Sequence, residues 1–523
     1  MVTSWIEQAK QFKSPLAVIA GFLLRSRETQ AKRARNRTQE LQQLKKILDQ
    51  QSRTIREQRD QLAEMNSQLA RIQSENRQLR QQPTRLPDDP PLPHHAFGPK
   101  LISLCVNLAR RIGLRPVPDV LKMICDWLGA EAKLPDWTTV RTWMLRVGAA
   151  AIAQPIEQAD DWIVMADHSN QIGPEKVLAV LGVRASKLPP PGQPLQHDDV
   201  RVLELTPGTS WKREHMTAAY EQVAERCGVP LAVLVDGAVE LREGAEPLRK
   251  RRENMLILGD FKHYAANVLK KVVGQDERYA QFITQLGRTR STIQQTELAH
   301  LTPPSPKPKA RFMNLAPTLR WAKMVSWQLS HPHSQARHEI TAARMNDKLG
   351  WMRGFRDDID RWHACQEVVC AASTFVNEQG LFRGATRQLR DHLRTQRNGA
   401  GHDRVKDHDR RQVTASLLRF VREAELQLAR LPPNSVPRVP LSTEILESSF
   451  GLFKQLERQQ SKGGFTSLLA AYGSLLHAST PESIRRDFAQ VSVQDMRAWV
   501  REKLGTTLAS KRQTAYQEFR DAA

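Results

Sequence analysis

In PLAVLVDG, from Pro230 to Gly237, an apolar run ends in an Asp-Gly pair. A short apolar run bounded by turn residues is typical of a buried β-strand. A carboxylate at the end of such a strand lies at the carboxyl edge of the sheet, where α/β proteins generally bind their ligands. We therefore interpret Asp236 as a candidate site residue.

Apolar runs on either side of this stretch predict four more strands: DWIVMAD (161–167), KVLAVLGVRAS (176–186), RVLELTPG (201–208) and NMLILGD (254–260). Helical spacing at 216–228 and a charged stretch at 244–253 predict helices between the last three strands. The predicted order is βββαβαβ. It is similar to that of a ribonuclease-H-like core, in which an antiparallel meander precedes parallel strands connected through helices. The predicted fold class is therefore α/β.

Two further acids have a placement that would let them meet Asp236. Asp167 ends the first predicted strand, and Glu447 lies near the start of a predicted helix in STEILESSFGLFK (442–454). Carboxylate oxygens are the ligands that Mg²⁺ or Mn²⁺ prefers, and two such ions can flank a phosphate under attack. If the three acids converge, the sequence predicts a metal-dependent polynucleotidyl transferase that uses two ions.

Asp236, the second acid, and Glu447, the third acid, each have an alternative. Asp260 also ends an apolar strand and is the alternative second acid, although strand order favours the fourth strand over the fifth, which is farther from the first. Glu444 shares a helix face with Glu447 and is the alternative third acid, although a carboxylate there also simply favours the helix dipole. Lys454 and Arg458 follow on the same face and are predicted to contact DNA phosphates.

Composition indicates the kind of partner. The 523 residues include 78 Lys and Arg against 56 Asp and Glu, a net charge of +22. Such a surplus favours a polyanion, and double-stranded DNA is the predicted partner. The longest apolar run, PLAVIAGFLL (15–24), is about half of what a membrane span requires, and no cleavage site follows it. The protein is therefore predicted to be cytoplasmic, with no membrane partner.

A seven-residue register runs from Leu41 to Leu79. One core position holds Leu41, Leu48, Ile55, Leu62, Leu69 and Asn76, and the other holds Leu44, Gln51, Gln58, Met65, Ile72 and Leu79. This pattern predicts a coiled coil about 58 Å long and hence a homodimer or a higher oligomer. The alternative is a single amphipathic helix that folds against its own protein.

Three segments with helical spacing lie between residues 99 and 155, an arrangement typical of a helix-turn-helix. The last begins in LPDWTTVRTWMLRVG (134–148), where Asp136 is a predicted helix cap. The residues near its start that are predicted to read bases in the major groove are Thr138, Thr139, Arg141 and Thr142. The alternative is a helical bundle that only joins two domains.

These patterns divide the chain into seven predicted segments. They are a basic helical N-terminus (1–40), the coiled coil (41–80), a Pro-rich linker (81–98), the helix-turn-helix-like domain (99–155), the first part of the core (156–274), an all-helical insertion (275–438) and the C-terminal core helices (439–523).

The region from about 160 to 505 resembles the DDE transposases of bacterial insertion sequences whose ribonuclease-H fold is interrupted by an all-helical domain. The resemblance is carried by Asp167, by the Asp236-Gly237 pair, by ESSFGLFK (447–454) with Lys454 seven residues after Glu447, and by GDFKHYAANVL (259–269) with Asp260 and His263 as supporting structure. It implies binding to terminal inverted repeats, followed by DNA cleavage and strand transfer through in-line attack at phosphorus. The competing functions are a catalytically inactive coiled-coil DNA-binding regulator and a structure-specific nuclease of the same fold.

Overall fold

The computed structural model describes residues 16–81, 88–168, 175–305, 312, 315–331, 342–398, 408–433, 438–458, 465–505 and 508–522. Contacts divide the chain into two compact units, Met1–Leu86 with Leu128–Ala130, and Pro87–Trp127 with Glu131–Ala523. Residues 1–15 of the predicted N-terminal segment and residues 82–87 of the predicted linker lie outside the described residues.

Unit 1 is built on one long helix, α1 (Leu16–Gln81), of 66 residues. At 1.5 Å per residue it extends about 99 Å. After Gly21 it contains neither Gly nor Pro and is rich in Gln, Arg and Leu, which favour helix. The basic segment and the coiled-coil segment, predicted to divide at residue 40, form one continuous helix where they are described.

Unit 2 begins with the helices α2 (Pro99–Ile112), α3 (Pro116–Leu128) and α4 (Trp137–Ala153). The predicted cap of α4 is confirmed, because the Asp136 carboxylate accepts hydrogen bonds from the backbone N–H groups of Thr138 and Thr139. Most of α4 is buried, and it packs against α2 and against the segment from 467 to 504. A Cβ at Gly148 would lie 2.0 Å from the Ala470 carbonyl oxygen, so this close packing requires glycine.

The centre of unit 2 is a five-stranded mixed sheet. Its strands are β1 (Trp162–Asp167), β2 (Lys176–Arg184), β3 (Arg201–Gly208), β4 (Ala232–Val235) and β5 (Leu256–Gly259). Their spatial order is β3-β2-β1-β4-β5, with the first three antiparallel and β1, β4 and β5 parallel. Helix α5 (Arg213–Cys227) connects β3 to β4, and α6 (Val239–Arg251) connects β4 to β5. This is the βββαβαβ order that the sequence predicts.

Both faces of the sheet are covered, so its strands are almost continuously apolar. One face packs under α5 and α6, which bury Val164, Ala166, Val233 and Val235. The other face belongs to the larger core, with Ile163, Met165, Leu234 and the C-terminal helices. The site at the end of these strands therefore sits on a rigid support.

Most of the described chain between the sheet and its last helices is helical. It forms α7 (Phe261–Val272), α8 (Glu277–Ile293), α9 (Leu315–Ser330), α10 (Ala342–Leu349), α11 (Arg356–Gln379), α12 (Ala385–Asn398) and α13 (His408–Gln427). Arg361 joins three of these segments through ion pairs with Asp276 at 2.5 Å and Asp409 at 2.8 Å. Trp362, fully buried, donates a hydrogen bond to the same Asp276.

The chain then returns to the sheet. It ends in α14 (Glu444–Glu457), α15 (Tyr472–Leu476), α16 (Pro481–Gln490), α17 (Val493–Leu504) and α18 (Leu508–Ala522). The molecule is thus a mixed α/β protein that is mostly helical. Among the helices described, none combines the length and the apolar character that a membrane crossing requires.

Candidate metal-binding site

Three aspartates follow one another along the carboxyl edge of the sheet. In the parallel ladders Ala166 lies opposite Val235, and Val235 lies opposite Gly259. The next residues along each strand are therefore neighbours across strands about 4.8 Å apart. They are Asp167, Asp236 and Asp260.

Asp236 is half-buried and lies in a tight turn after β4. One carboxylate oxygen accepts a hydrogen bond of 2.8 Å from the backbone N–H of Ala238. Gly237 between them has φ of +96°, a conformation that favours glycine, which explains the Asp-Gly pair. The turn fixes one oxygen of this carboxylate at the edge of the sheet.

Asp260, in contrast, is 2% exposed and accepts several hydrogen bonds. One oxygen accepts from the backbone N–H of Lys262 at 3.3 Å and of Thr443 at 3.0 Å. The other accepts from the backbone N–H of His263 at 3.0 Å and contacts the same residue's Nδ1 at 2.5 Å. Burial alone would raise the pKa of Asp260, but these bonds and the charge of His263 lower it. Asp260 therefore caps α7 and fixes the chain just before α14.

Glu447 lies in the first turn of α14, beside the start of α7. Its carboxylate forms an ion pair with Lys262 at 2.8 Å and lies 3.8 Å from His263 Nδ1. Burial lowers the pKa of His263, but its hydrogen bond to Asp260 and the charges of Asp260, Glu447 and Asp236 outweigh this and raise it to about 9. Burial also lowers the pKa of Lys262, but the charges and hydrogen bonds of Glu447 and Glu444 outweigh this and raise it. Lys262 and His263 thus place two cationic groups against Glu447 and Asp260.

Among the described residues, one group of three has its potential ligand atoms within 4.8 Å of one another: Asp260, His263 and Glu447. Asp167 and Asp236 lie outside this tight group. They are neighbours by strand pairing, and the charge of Asp236 reaches His263. The convergence of Asp167, Asp236 and Glu447 on one ion stays a prediction.

Asp167 is 3% exposed, and its charge helps to raise the pKa of two buried tyrosines. Burial raises the pKa of Tyr472, in α15, and the charge of Asp167 adds to this effect. Burial also raises the pKa of Tyr220, in α5, and the charges of Asp236 and Asp167 add to it. The hydroxyl of Tyr220 has no hydrogen-bond partner among the described residues. An apolar helix pattern hides such a tyrosine, so sequence reasoning missed it.

The exposed face of α14 runs away from the acids. Glu444 is exposed at its start and shares Lys262 with Glu447, at 3.3 Å. Lys454 and Arg458 are exposed further along, with spacings that keep them on this face. The exposure of Glu444, Lys454 and Arg458 agrees with a shared face, whereas the predicted roles of these residues stay predictions. The signal for Lys262 was its position between Asp260 and His263 in GDFKH, which the sequence reading did not use.

The residues predicted to read bases lie at the start of α4, and all four are engaged within the chain. The hydroxyls of Thr138 and Thr139 donate hydrogen bonds to the Asp136 carboxylate. Thr142 donates to a backbone carbonyl one turn earlier, and the guanidinium of Arg141 donates to a serine before α15 at 2.5 Å. Thr138 is exposed, whereas the others are half-buried. Their contact with DNA stays a prediction.

The side chains at the edge fit a hard divalent cation in their donor chemistry. Asp167, Asp236 and Glu447 offer carboxylate oxygens, the ligands that Mg²⁺ and Mn²⁺ prefer. The ammonium of Lys262 already lies against Glu447, which shows that this carboxylate attracts a cation.

No family model matches the sequence, and no curated protein matches it significantly. Among solved structures, the chain is similar to a chain of the Drosophila P element transposase strand transfer complex. The two are 10% identical, the similarity covers 73% of this chain and 92% of that chain, and the TM-score is 0.35. The similarity is weak.

Proposed function

We propose that the chain is a DDE-type polynucleotidyl transferase: a transposase that binds terminal inverted repeats, cleaves DNA and transfers strands by in-line attack at phosphorus. The observation that carries the proposal is the row of strand-end aspartates, Asp167 and Asp236 among them, beside a helix that presents Glu447. The sheet order supports a ribonuclease-H-like core, and the helices α8 to α13 between its parts support an all-helical insertion.

In this proposal Asp167, Asp236 and Glu447 hold two Mg²⁺ or Mn²⁺ ions. Such ions would supply an activated oxygen nucleophile and stabilise the leaving oxygen. Asp260 takes a supporting role, because both its oxygens already accept hydrogen bonds that fix α7 and α14. His263 contacts the Asp260 carboxylate through Nδ1 and lies 3.8 Å from Glu447, so in this proposal the two residues help to position Glu447.

The rest of the chain supplies the proposed contacts with double-stranded DNA. Lys454 and Arg458 are exposed and continue the Glu447 face of α14 toward a phosphate backbone. The surplus of +22 charges supports a nucleic-acid partner. We keep the exposed start of α4, with Thr138, as the proposed base-reading surface. We also propose a relationship to bacterial insertion sequences and a cytoplasmic location.

The proposal is tested with the full chain, Mg²⁺, a target plasmid and labelled duplexes taken from the DNA that flanks the gene. Joined products are expected, and their absence together with intact DNA would contradict the assignment. Cut products without joining would favour a structure-specific nuclease, and bound but uncut DNA would favour a catalytically inactive regulator.

A matched pair on one helix sharpens this test. Glu447→Gln is expected to abolish cleavage while end binding in a gel-shift assay is retained. Glu444→Gln removes the same charge one turn earlier, next to the same Lys262, and is expected to retain cleavage. The reverse result would make Glu444 the third acid.

A further inference from the structure

Helix α1 carries an apolar stripe with a seven-residue period. Its members are each more than half exposed: Leu41, Leu44, Leu48, Ile55, Leu62, Met65, Leu69 and Ile72. We call these residues the heptad stripe. At 1.5 Å per residue it is about 48 Å long, far more exposed apolar surface than a soluble helix leaves uncovered. We propose that a second copy of α1 covers it, parallel and in register.

The polar residues that share the heptad positions of the stripe favour the parallel orientation. A parallel, in-register pair places each core residue against its own copy, so that Asn76, Gln51 and Gln58 each meet an identical amide. Amide side chains carry both donors and acceptors and can satisfy one another across the pair. The polar layers therefore become self-complementary.

The antiparallel pair with the same overlap has a different core. It places Asn76 against Leu44 of the second copy, Gln51 against Leu69 and Gln58 against Leu62. Each amide would then be buried against a hydrocarbon side chain, and an unpaired buried amide destabilises a core. Three such layers, each present twice by symmetry, count against this orientation.

Charges beside the stripe point the same way. Glu40 precedes the first core residue, and in a parallel pair it faces Lys45 of the second copy, five residues further on. In the antiparallel pair it faces Glu75 of the second copy instead. Glu75 already forms an ion pair with Arg71 on its own helix, but its charge would still repel Glu40. Opposite charges meet only in the parallel pair.

The orientation deepens the proposed function and rests on it for its consequence. In a parallel pair both chains leave the coiled coil at the same end, after Gln81. Two catalytic units tethered there would be held together at high effective concentration, as two DNA ends require. An antiparallel pair would send them to opposite ends, about 60 Å apart for the 40-residue overlap.

Cysteine cross-linking of the full chain, without DNA or metal, tests the orientation. Gln51→Cys is expected to form a disulfide-linked dimer on oxidation, because position 51 meets itself only in the parallel pair. Arg53→Cys, on the outer face of the same turn, is the matched control and is expected to remain uncross-linked. The wild-type chain reports any cross-link through its own cysteines.

A charge reversal gives an independent readout with opposite signs. Glu40→Lys is expected to raise the dimer dissociation constant roughly three- to tenfold at low salt if the pair is parallel, since it faces Lys45 twice. In an antiparallel pair it would face Glu75 and tighten the dimer. A tighter dimer, a cross-link only between mixed Gln51→Cys and Leu69→Cys chains, or a monomer in light scattering would each overturn the proposal. None of these results depends on cleavage, which tests the proposed function separately.

Discussion

Replacing Asp260 and Asp236 by asparagine, one at a time, should separate a structural acid from a catalytic one. The two residues are neighbours along the same sheet edge, each at the end of a parallel strand. Asp260 is 2% exposed and accepts from three backbone N–H groups, besides its contact with His263 Nδ1. Asp236 is half-buried and accepts from the backbone N–H of Ala238.

The magnitudes follow from these contacts. Asp260→Asn removes a buried charge-assisted bond to His263, worth about 1.5–3 kcal/mol, and turns an N–H₂ group toward remaining donors, at a further cost of about 1–3 kcal/mol. Together these costs predict a loss of about 2.5–6 kcal/mol in the free energy of unfolding, which includes the range of about 3–5 kcal/mol that is typical of breaking a buried ion pair. Asp236→Asn keeps an oxygen for the Ala238 bond and should change stability by no more than about 0.5 kcal/mol.

Urea denaturation and calorimetric titration with Mn²⁺ measure both properties on the same samples. Asp260→Asn is expected to shift the urea midpoint strongly, whereas Asp236→Asn should leave it unchanged while weakening Mn²⁺ binding and abolishing DNA cleavage. A stable Asp260→Asn chain that has lost Mn²⁺ binding, beside an Asp236→Asn chain that cleaves normally, would refute the reasoning. It would make Asp260 the second acid.

Three further changes test other parts of the same region. Lys262→Gln should bind Mn²⁺ several-fold more tightly in calorimetry, because an ammonium 2.8 Å from Glu447 no longer competes with the ion; weaker binding would contradict this. Tyr220→Phe should leave the free energy of unfolding unchanged or raise it by up to about 1 kcal/mol, because it removes a buried hydroxyl that has no hydrogen-bond partner among the described residues. A loss of stability in urea denaturation would contradict this and would show that the hydroxyl is hydrogen-bonded. Burial raises the pKa of Glu457 to about 7, so ionisation destabilises the folded chain as the pH rises from about 4.5 toward 7. Glu457→Gln should therefore have the same melting temperature as the wild type at pH 4 and a higher one at pH 8. If the two chains also melted at the same temperature at pH 8, the burial of Glu457 would be contradicted.

The strands were predictable because each carries its own signal. PLAVLVDG and NMLILGD are apolar runs that end at a turn, and their burial depends little on what covers them. Strand order then follows from the few connections that α/β folds allow. The row of strand-end acids was therefore within reach of the sequence.

The different surroundings of Asp236 and Asp260 could not be predicted from the sequence. Both end an apolar strand, and only a contact from Thr443, 183 residues away, shows that Asp260 is committed to holding α14. The burial of α4 could not be predicted either, because it also depends on contacts with segments that are distant in the sequence. Helical spacing shows which side of that helix is apolar, but not that α15, α16 and α17 bury most of its length. Contacts between distant segments decide both cases.

The position of Glu447 depends on the helical region that separates it from the sheet. Just before α14, Val439 pairs with Leu381, and Arg438 donates a hydrogen bond of 2.7 Å to the Glu378 carbonyl, at the end of α11. Asn377, also in α11, contacts the Glu444 carboxylate. The start of α14 is thus held on one side by Asp260 and on the other by α11. Glu447 therefore depends on α11 as well as on the sheet for its position, so a change that loosens α11 is expected to impair the proposed cleavage without altering any acid.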